Sequence, residues 1–282
     1  MLGAFGDPVS LERKGLSMKA LVSILLACGI APMFAGVAQA QSAPSDGSPH
    51  GVVAIGPGVV PEFDGSRDMR VLPFVMADVR WSGVNVQVRG PGLRVDVISD
   101  PRLSFGPVIG ARLPRNDADG RIGLLPEIDT AIEAGAFVGY RFGGDQYGQG
   151  ALQMELSVLH DVSRTHNGLL ATASASYAAV SRKDFFLSID AQTTLASSDY
   201  TRTYFGVDQA AAAASGLRAY RPDGGIRDVG AGVTAGYWFS PKLGITARAG
   251  ATYLVGDIED SPITEEGRRW QPAGGIMLSY RF

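Results

Sequence analysis

Apolar and polar residues alternate with a period of two along most of the chain beyond residue 50. This is the signature of strands whose successive side chains face opposite ways. Val71, Val75, Ala77, Val79 and Trp81 share one face, with Arg70, Asp78 and Arg80 on the other. Val84, Val86 and Val88 alternate with Asn85, Gln87 and Arg89. Leu103, Phe105, Ile109 and Leu113 oppose Ser104 and Arg112, while Ile132, Ala134, Ala136, Val138, Tyr140 and Phe142 oppose Glu133 and Arg141. Met154, Leu156 and Val158 oppose Glu155, and Leu187, Ile189 and Ala191 oppose Asp190. Val233, Ala235, Tyr237 and Phe239 oppose Thr234; Ile245, Ala247 and Ala249 oppose Arg248; Ile276, Leu278, Tyr280 and Phe282 oppose Ser279 and Arg281. The pattern predicts strands over 52–60, 69–81, 84–89, 93–98, 102–113, 129–142, 151–160, 168–180, 184–195, 225–239, 242–253 and 272–282.

The apolar face of these strands carries no Lys, Arg, Asp or Glu. A charge on a lipid-facing position at the bilayer midplane costs roughly 2–4 kcal/mol, whereas a polar lumen accepts charge. The strands often reach the ten or so residues that a tilted membrane strand needs. Their connections alternate in length. Ser99-Asp100-Pro101, Ser181-Arg182-Lys183 and Ser240-Pro241 are short turns, while 61–68, 114–128, 196–224 and 254–271 are longer loops. With the amino end in the periplasm, this is the short-turn, long-loop asymmetry of outer-membrane barrels. Trp81, Tyr140, Phe142, Tyr237, Phe239, Tyr280 and Phe282 all fall at the predicted periplasmic ends of descending strands. There they would form an aromatic girdle at the headgroup level, with the Phe282 strand as an assembly signal. The expected fold is all-β: a transmembrane antiparallel up-and-down β-barrel of about twelve strands, in a range of ten to fourteen.

Composition sharpens this picture. Charged residues make up 19% of the 282 residues, glycines number 37, and the formal charge is −3. So small a charge excludes the basic footprint of a nucleic-acid binder. Met18-Lys19, the apolar run Ala20–Val37 and Ala38-Gln39-Ala40 form a secretory signal, with cleavage expected before Gln41. Residues 1–17 read as a start-site artefact or an extended basic region. The expected organisation is a signal peptide over 1–40, a flexible lead-in over 41–49 and a barrel over 50–282. Cys28, the single cysteine, lies inside the apolar run, where a signal-peptide core position is the better reading than a lipoprotein site. The mature chain then has no thiol for a disulfide or a metal. The expected location is the outer membrane, with its lipid as one partner.

Candidate chemistry is sparse. His160-Asp161 with Ser163 suggests a nucleophile relay, but neighbours on a strand face opposite ways, so the expectation is no catalytic site. Gly230, Gly232 and Gly236 lie in an alternating strand with no helix after them and read as structural glycines, not a nucleotide loop. With three histidines and no mature cysteine, no metal or other cofactor is expected. Loop carboxylates such as Glu62, Asp64, Asp68, Asp257, Glu259, Asp260, Glu265 and Glu266 read as solvated rather than as a cation site. Asp78, Arg80, Arg94, Asp96, Arg112, Glu133, Arg141, Glu155, Asp190 and Arg248 fall on the lumen face with mixed sign. In a narrow barrel they are expected to pair and brace the wall rather than line a wide channel. The alanine run Ala210–Ala214 predicts a short helix within the longest loop, placed to cover the pore.

Several segments resemble the MipA/OmpV family of outer-membrane proteins, the MltA-interacting proteins. Pro61-Glu62-Phe63-Asp64-Gly65-Ser66 is similar to the family's first-loop pattern. Glu133-Ala134-Gly135-Ala136-Phe137 with Tyr140-Arg141-Phe142 resembles its central strand. Thr203-Tyr204-Phe205-Gly206-Val207, Ala214-Ser215-Gly216-Leu217 and Tyr220 resemble its large loop. Gly256-Asp257 with Asp260-Ser261-Pro262-Ile263, and Leu278-Ser279-Tyr280-Arg281-Phe282, resemble its last loop and carboxyl end. The resemblance implies a non-enzymatic barrel that scaffolds a lytic transglycosylase and a murein synthase. Other members are associated with adhesion, osmotic response and antibiotic sensitivity. A narrow channel or a surface receptor is the competing reading, motivated by the mixed-charge lumen and the long loops.

Overall fold

The computed structural model describes residues 49–116 and 118–282, so the expected signal peptide, Cys28 and all but the end of the lead-in lie outside the described residues. The strands are β1 (His50–Pro61), β2 (Met69–Trp81), β3 (Val84–Arg89), β4 (Gly92–Asp96), β5 (Leu103–Arg112) and β6 (Ala131–Phe142). They continue as β7 (Leu152–Asp161), β8 (Leu169–Ser181), β9 (Phe185–Ala196), β10 (Gly225–Trp238), β11 (Leu243–Leu254) and β12 (Trp270–Arg281). Each pairs with its chain neighbours and β12 returns to β1, which closes the sheet into a twelve-stranded barrel. Closure leaves the full-length strands without a free edge. The register keeps Val52, Ala54, Asp78 and Ser279 on the lumen side and Val53, Ile55, Ala77 and Leu278 outside, as the period-two pattern requires.

The ends of the barrel differ. Both ends of the described barrel, Gly51 and Phe282, meet at the short-turn end, where each donates its N–H to the other's carbonyl at 3.1 Å. For an outer-membrane barrel that is the periplasmic side. Trp81, Tyr140, Phe142, Tyr237, Phe239, Tyr280 and Phe282 are 41–61% exposed near this end. Tyr177 joins them in register with Leu152, and at the opposite rim Tyr253 packs edge-on against Trp270 with ring centroids 5.2 Å apart.

Two departures from regular alternation have local causes. The β3–β4 hairpin turns early at Gly90-Pro91, so β2 residues 69–75 pair with β1 alone. Pro73, which has no N–H to leave unpaired, lies in that stretch. Leu113, expected on the lipid face, lies just past β5 and packs with Leu72 and Met76 against the buried cluster of Ala54, Val60, Phe74 and Met277. Once the strand ends, its alternation no longer dictates where the next side chain goes.

Three helices sit in the long loops: α1 (Ser198–Phe205), α2 (Gln209–Ser215) and α3 (Pro262–Glu266). The expected alanine helix is α2. Asp208 caps it by accepting from the Ala211 N–H at 2.8 Å, and Gly216 ends it at φ +71°. Helix α1 was not foreseen. Its Tyr200, Thr201, Tyr204 and Phe205 are buried at i, i+1, i+4 and i+5, one helical face. Tyr200, Tyr204 and Phe205 pack with Ile128, Leu170, Leu254 and Ile258. A neighbouring cluster joins Phe63, Ile122, Val207, Leu217 and Ile263. The outer loops thus share an apolar core of their own and form a folded cap over the outer mouth.

Candidate functional site

Beneath the cap, wall and loops meet in a buried ionic network. Arg112 of β5 donates through Nε and Nη2 to both carboxylate oxygens of Glu133 on β6, at 2.9 and 3.2 Å. Its Nη1 donates to Asp64 of the first outer loop at 3.0 Å. Arg227 of β10 donates to the same Asp64 oxygen at 3.2 Å and to Asp228 at 2.5 Å. The Tyr200 hydroxyl donates to Asp64 at 2.5 Å and accepts from Arg227 at 2.9 Å. His166 places Nε2 3.2 Å from Glu133 while its Nδ1 accepts from the Gly168 N–H, so Nε2 is the ring nitrogen that donates to Glu133. A loop carboxylate and a helix phenol are therefore tied to arginines on opposite walls.

The electrostatics agree with this geometry. Burial opposes ionisation of Asp64, but Arg227 and Arg112 outweigh it and hold the carboxyl below its ordinary range. Burial pushes the Tyr200 phenol well above its usual value, so it remains a donor. Arg115, in the loop after β5, is buried with no ion-pair partner among the described residues and donates to the carbonyls of Tyr204 and Pro126 at 3.0 and 3.3 Å. Burial brings it down to about 10.

The predicted lumen residues fall into separate groups. Arg112 and Glu133 belong to the upper network. Arg248 of β11 grips Asp190 of β9 with two bonds of 2.6 and 2.8 Å, and Thr234 between them accepts at 2.7 Å. The expected structural glycines make room for these groups. A Cβ on Gly232 would lie 2.8 Å from the Arg248 guanidinium, and one on Gly236 would lie 2.1 Å from the Phe186 ring. Lower down, Arg94 donates to Glu155 at 2.5 Å and stacks over Phe137, with Arg89 also near Glu155 at 3.6 Å. Asp78 accepts from Gln87 at 3.2 Å. Asp96 behaves differently from a wall brace: its Oδ1 accepts the backbone N–H groups of Ile98 and Phe105, both at 3.1 Å, where the β4–β5 ladder breaks. Arg80 and Arg141 line a vestibule of about 370 Å³ that opens at the periplasmic mouth.

His160 and Asp161 do not meet. His160 is exposed on the outer face, and Asp161 points inward. Asp161 accepts the backbone N–H groups of Ser163, His166 and Asn167 and the Ser163 hydroxyl at 2.6 Å, which is a loop-capping role. The loop carboxylates mostly face arginines: Glu62 with Arg70, Glu265 with Arg218, Glu266 with Arg121, and Glu259 and Asp260 with Arg269. Among the described residues no group of three or more His, Cys, Asp or Glu is placed to hold a metal.

Sequence reasoning missed Asp64, Arg227, Asp228, His166 and Tyr200 as members of one site. Arg227 and Asp228 are adjacent, and alternation would put them on opposite faces. A register shift between Ile226 and Asp228 in the pairing of β10 with β9 turns both inward.

Comparison with curated protein sequences returns no match. Among solved structures, an outer-membrane channel from Pseudomonas putida F1 is 12% identical at a TM-score of 0.38, over 86% of this chain and 100% of that one. The OpdR protein of Pseudomonas aeruginosa is 10% identical at 0.27, over 83% and 96%. The attachment invasion locus protein Ail of Yersinia pestis is 8% identical at 0.22, over 83% and 98%. The barrel assignment itself rests on the closed strand pairing. The model of the MltA-interacting protein MipA family matches residues 53–282, nearly the whole barrel, and the chain therefore belongs to that family of outer-membrane β-barrel proteins.

Proposed function

We propose that this protein anchors a murein-remodelling enzyme to the outer membrane, through the periplasmic end of its barrel. The observation that carries this reading is the asymmetry of the two mouths. The outer end is covered by a cap with its own apolar core and a buried ionic latch, whereas the periplasmic end presents short turns around an open vestibule. The family description, MltA-interacting protein, names the class of partner. A lytic transglycosylase of that kind is the expected ligand, and a murein synthase the expected second member. The same reading takes the exposed rings near the periplasmic end as a girdle that sets the barrel's depth. The role is non-catalytic, supported by the outward His160 and by the engagement of Asp161 with loop backbone.

The test is a binding titration between the purified barrel in detergent and a purified lytic transglycosylase. Saturable binding that is weakened by lengthening the Ser181–Lys183 turn supports the anchor. Absence of binding at micromolar concentrations of both proteins removes it. The channel reading makes the opposite forecast, a steady conductance in a planar bilayer, which the capped outer mouth disfavours.

A further inference from the structure

The periplasmic vestibule is lined by both arginines and carboxylates. Its carboxylates are already engaged: Glu155 is held by Arg94 and Arg89, and one oxygen each of Asp96 and Asp100 accepts two backbone N–H groups. Arg80 and Arg141, by contrast, make no ion pair among the described residues, although both line the cavity. Asp78, the nearest lumen neighbour of Arg80 along β2, receives side-chain hydrogen bonds from Gln87 and Asn85, and Arg80 acts on it by charge at longer range than an ion pair.

Each of these arginines stands beside a carboxamide on the next strand. Arg80 is the register partner of Asn85, and Arg141 of Gln153. All four line the vestibule. Asn85 is only 8% exposed; its side chain bonds to Asp78, and its Oδ1 has no hydrogen-bond partner among the described residues. A buried acceptor left without a donor is disfavoured and marks a place where a ligand N–H, or water, completes the set.

We propose that the vestibule binds the free carboxylate end of a short peptide. A guanidinium fork matches a carboxylate in two-point geometry. A neighbouring carboxamide matches the amide group that follows the carboxylate along a peptide. The arginine–carboxamide unit occurs twice, which suits a ligand with a terminal carboxylate and a second acidic or amide group. The cap closes the far end, so the ligand enters and leaves by the periplasmic mouth. Two sources offer this chemistry in the periplasm: free oligopeptides and the stem peptides of murein. The site is independent of whether a murein enzyme docks on the outside of the same mouth.

Isothermal titration of the full barrel in detergent micelles tests this with three probes: trialanine, trialanine amide, and a soluble disaccharide–tripeptide with free carboxylates. Trialanine is expected to bind about tenfold more tightly than its amide. Arg80→Gln and Arg141→Gln are each expected to weaken trialanine by about tenfold while leaving the amide unchanged, and Arg141→Lys to lose less. Retained heat-modifiable migration in gels certifies that each variant is folded. If the disaccharide–tripeptide binds and trialanine does not, with the same arginine dependence, the site stands and its source is murein. Equal binding of the acid and the amide, or no binding of either free-acid probe, overturns the proposal.

Discussion

The outer and periplasmic halves of this barrel are built from the same strands and handle charge in opposite ways. In the outer half, Arg112 and Arg227 hold the three carboxylates Glu133, Asp64 and Asp228 in one network, with Asp64 shared between them, sealed under Tyr200 and the loop core. In the periplasmic half, Arg80 and Arg141 face an open vestibule. The wall pattern is the same in both, so the difference comes from the connections. Loops of the length of 197–224 can fold back and bury a core, while the shorter periplasmic connections, such as 82–83 and 182–184, cannot. Charges under the cap lose water and need partners, as Glu155 does deeper in the wall; Arg80 and Arg141, at the open mouth, keep water.

Four substitutions would break or sharpen that contrast. The largest effect is expected from Arg112→Ala, which leaves Glu133 and Asp64 with a missing partner in a buried site. Removing one side of a buried ion pair costs about 3–5 kcal/mol, so thermal unfolding followed by heat-modifiable migration should shift clearly downward. A variant that melts like the parent would mean that the outer network is wetter than its burial indicates.

Next is Asp64→Asn, which weakens the tie between cap and wall. It is expected to cost about 1–3 kcal/mol and to produce flickering conductance in planar bilayers where the parent is silent. The same carboxyl sets an acid limit. Its folded pKa lies below the ordinary 3.8, so its stabilisation is complete above that value and is lost as pH falls through the folded one. The parent should therefore stay closed at neutral pH and open only in strong acid, while Asp64→Asn should not show that step. A parent that opens near neutrality would assign gating to another group.

Tyr200→Phe removes one hydroxyl that bridges Asp64 and Arg227. About 1 kcal/mol of destabilisation is expected, read as a small drop in melting temperature without conductance. The smallest effect belongs to the other half: Arg141→Gln in the vestibule should leave stability within about 0.5 kcal/mol. A large loss there would show that the vestibule is as tightly built as the cap.

Much of the wall was legible because alternation is a local property. Strands β2 and β3 run over the residues that the pattern predicted, and most other boundaries differ by one or two. The charge-free outer face, the outward rings of Tyr237 and Tyr280 and the inward Arg248 all follow from the same count. Helix α2 was legible because its alanines, its Asp208 cap and its Gly216 stop are consecutive in the chain. Leu113 departs from the alternation because it lies one residue past the end of β5. Asp96 does line the vestibule, but the break in the β4–β5 ladder gives its carboxylate backbone partners that alternation alone does not show.

The sequence by itself determined a closed, lipid-facing wall, because a period of two is written into neighbouring residues and a membrane excludes charge from one of the two faces. Tertiary structure alone decided the latch. Asp64, Arg112, Tyr200 and Arg227 come from a loop, two strands and a helix up to 163 positions apart, and no local periodicity links them. They meet because the long loops fold inward over a narrow lumen, where a buried carboxylate is stable only beside an arginine.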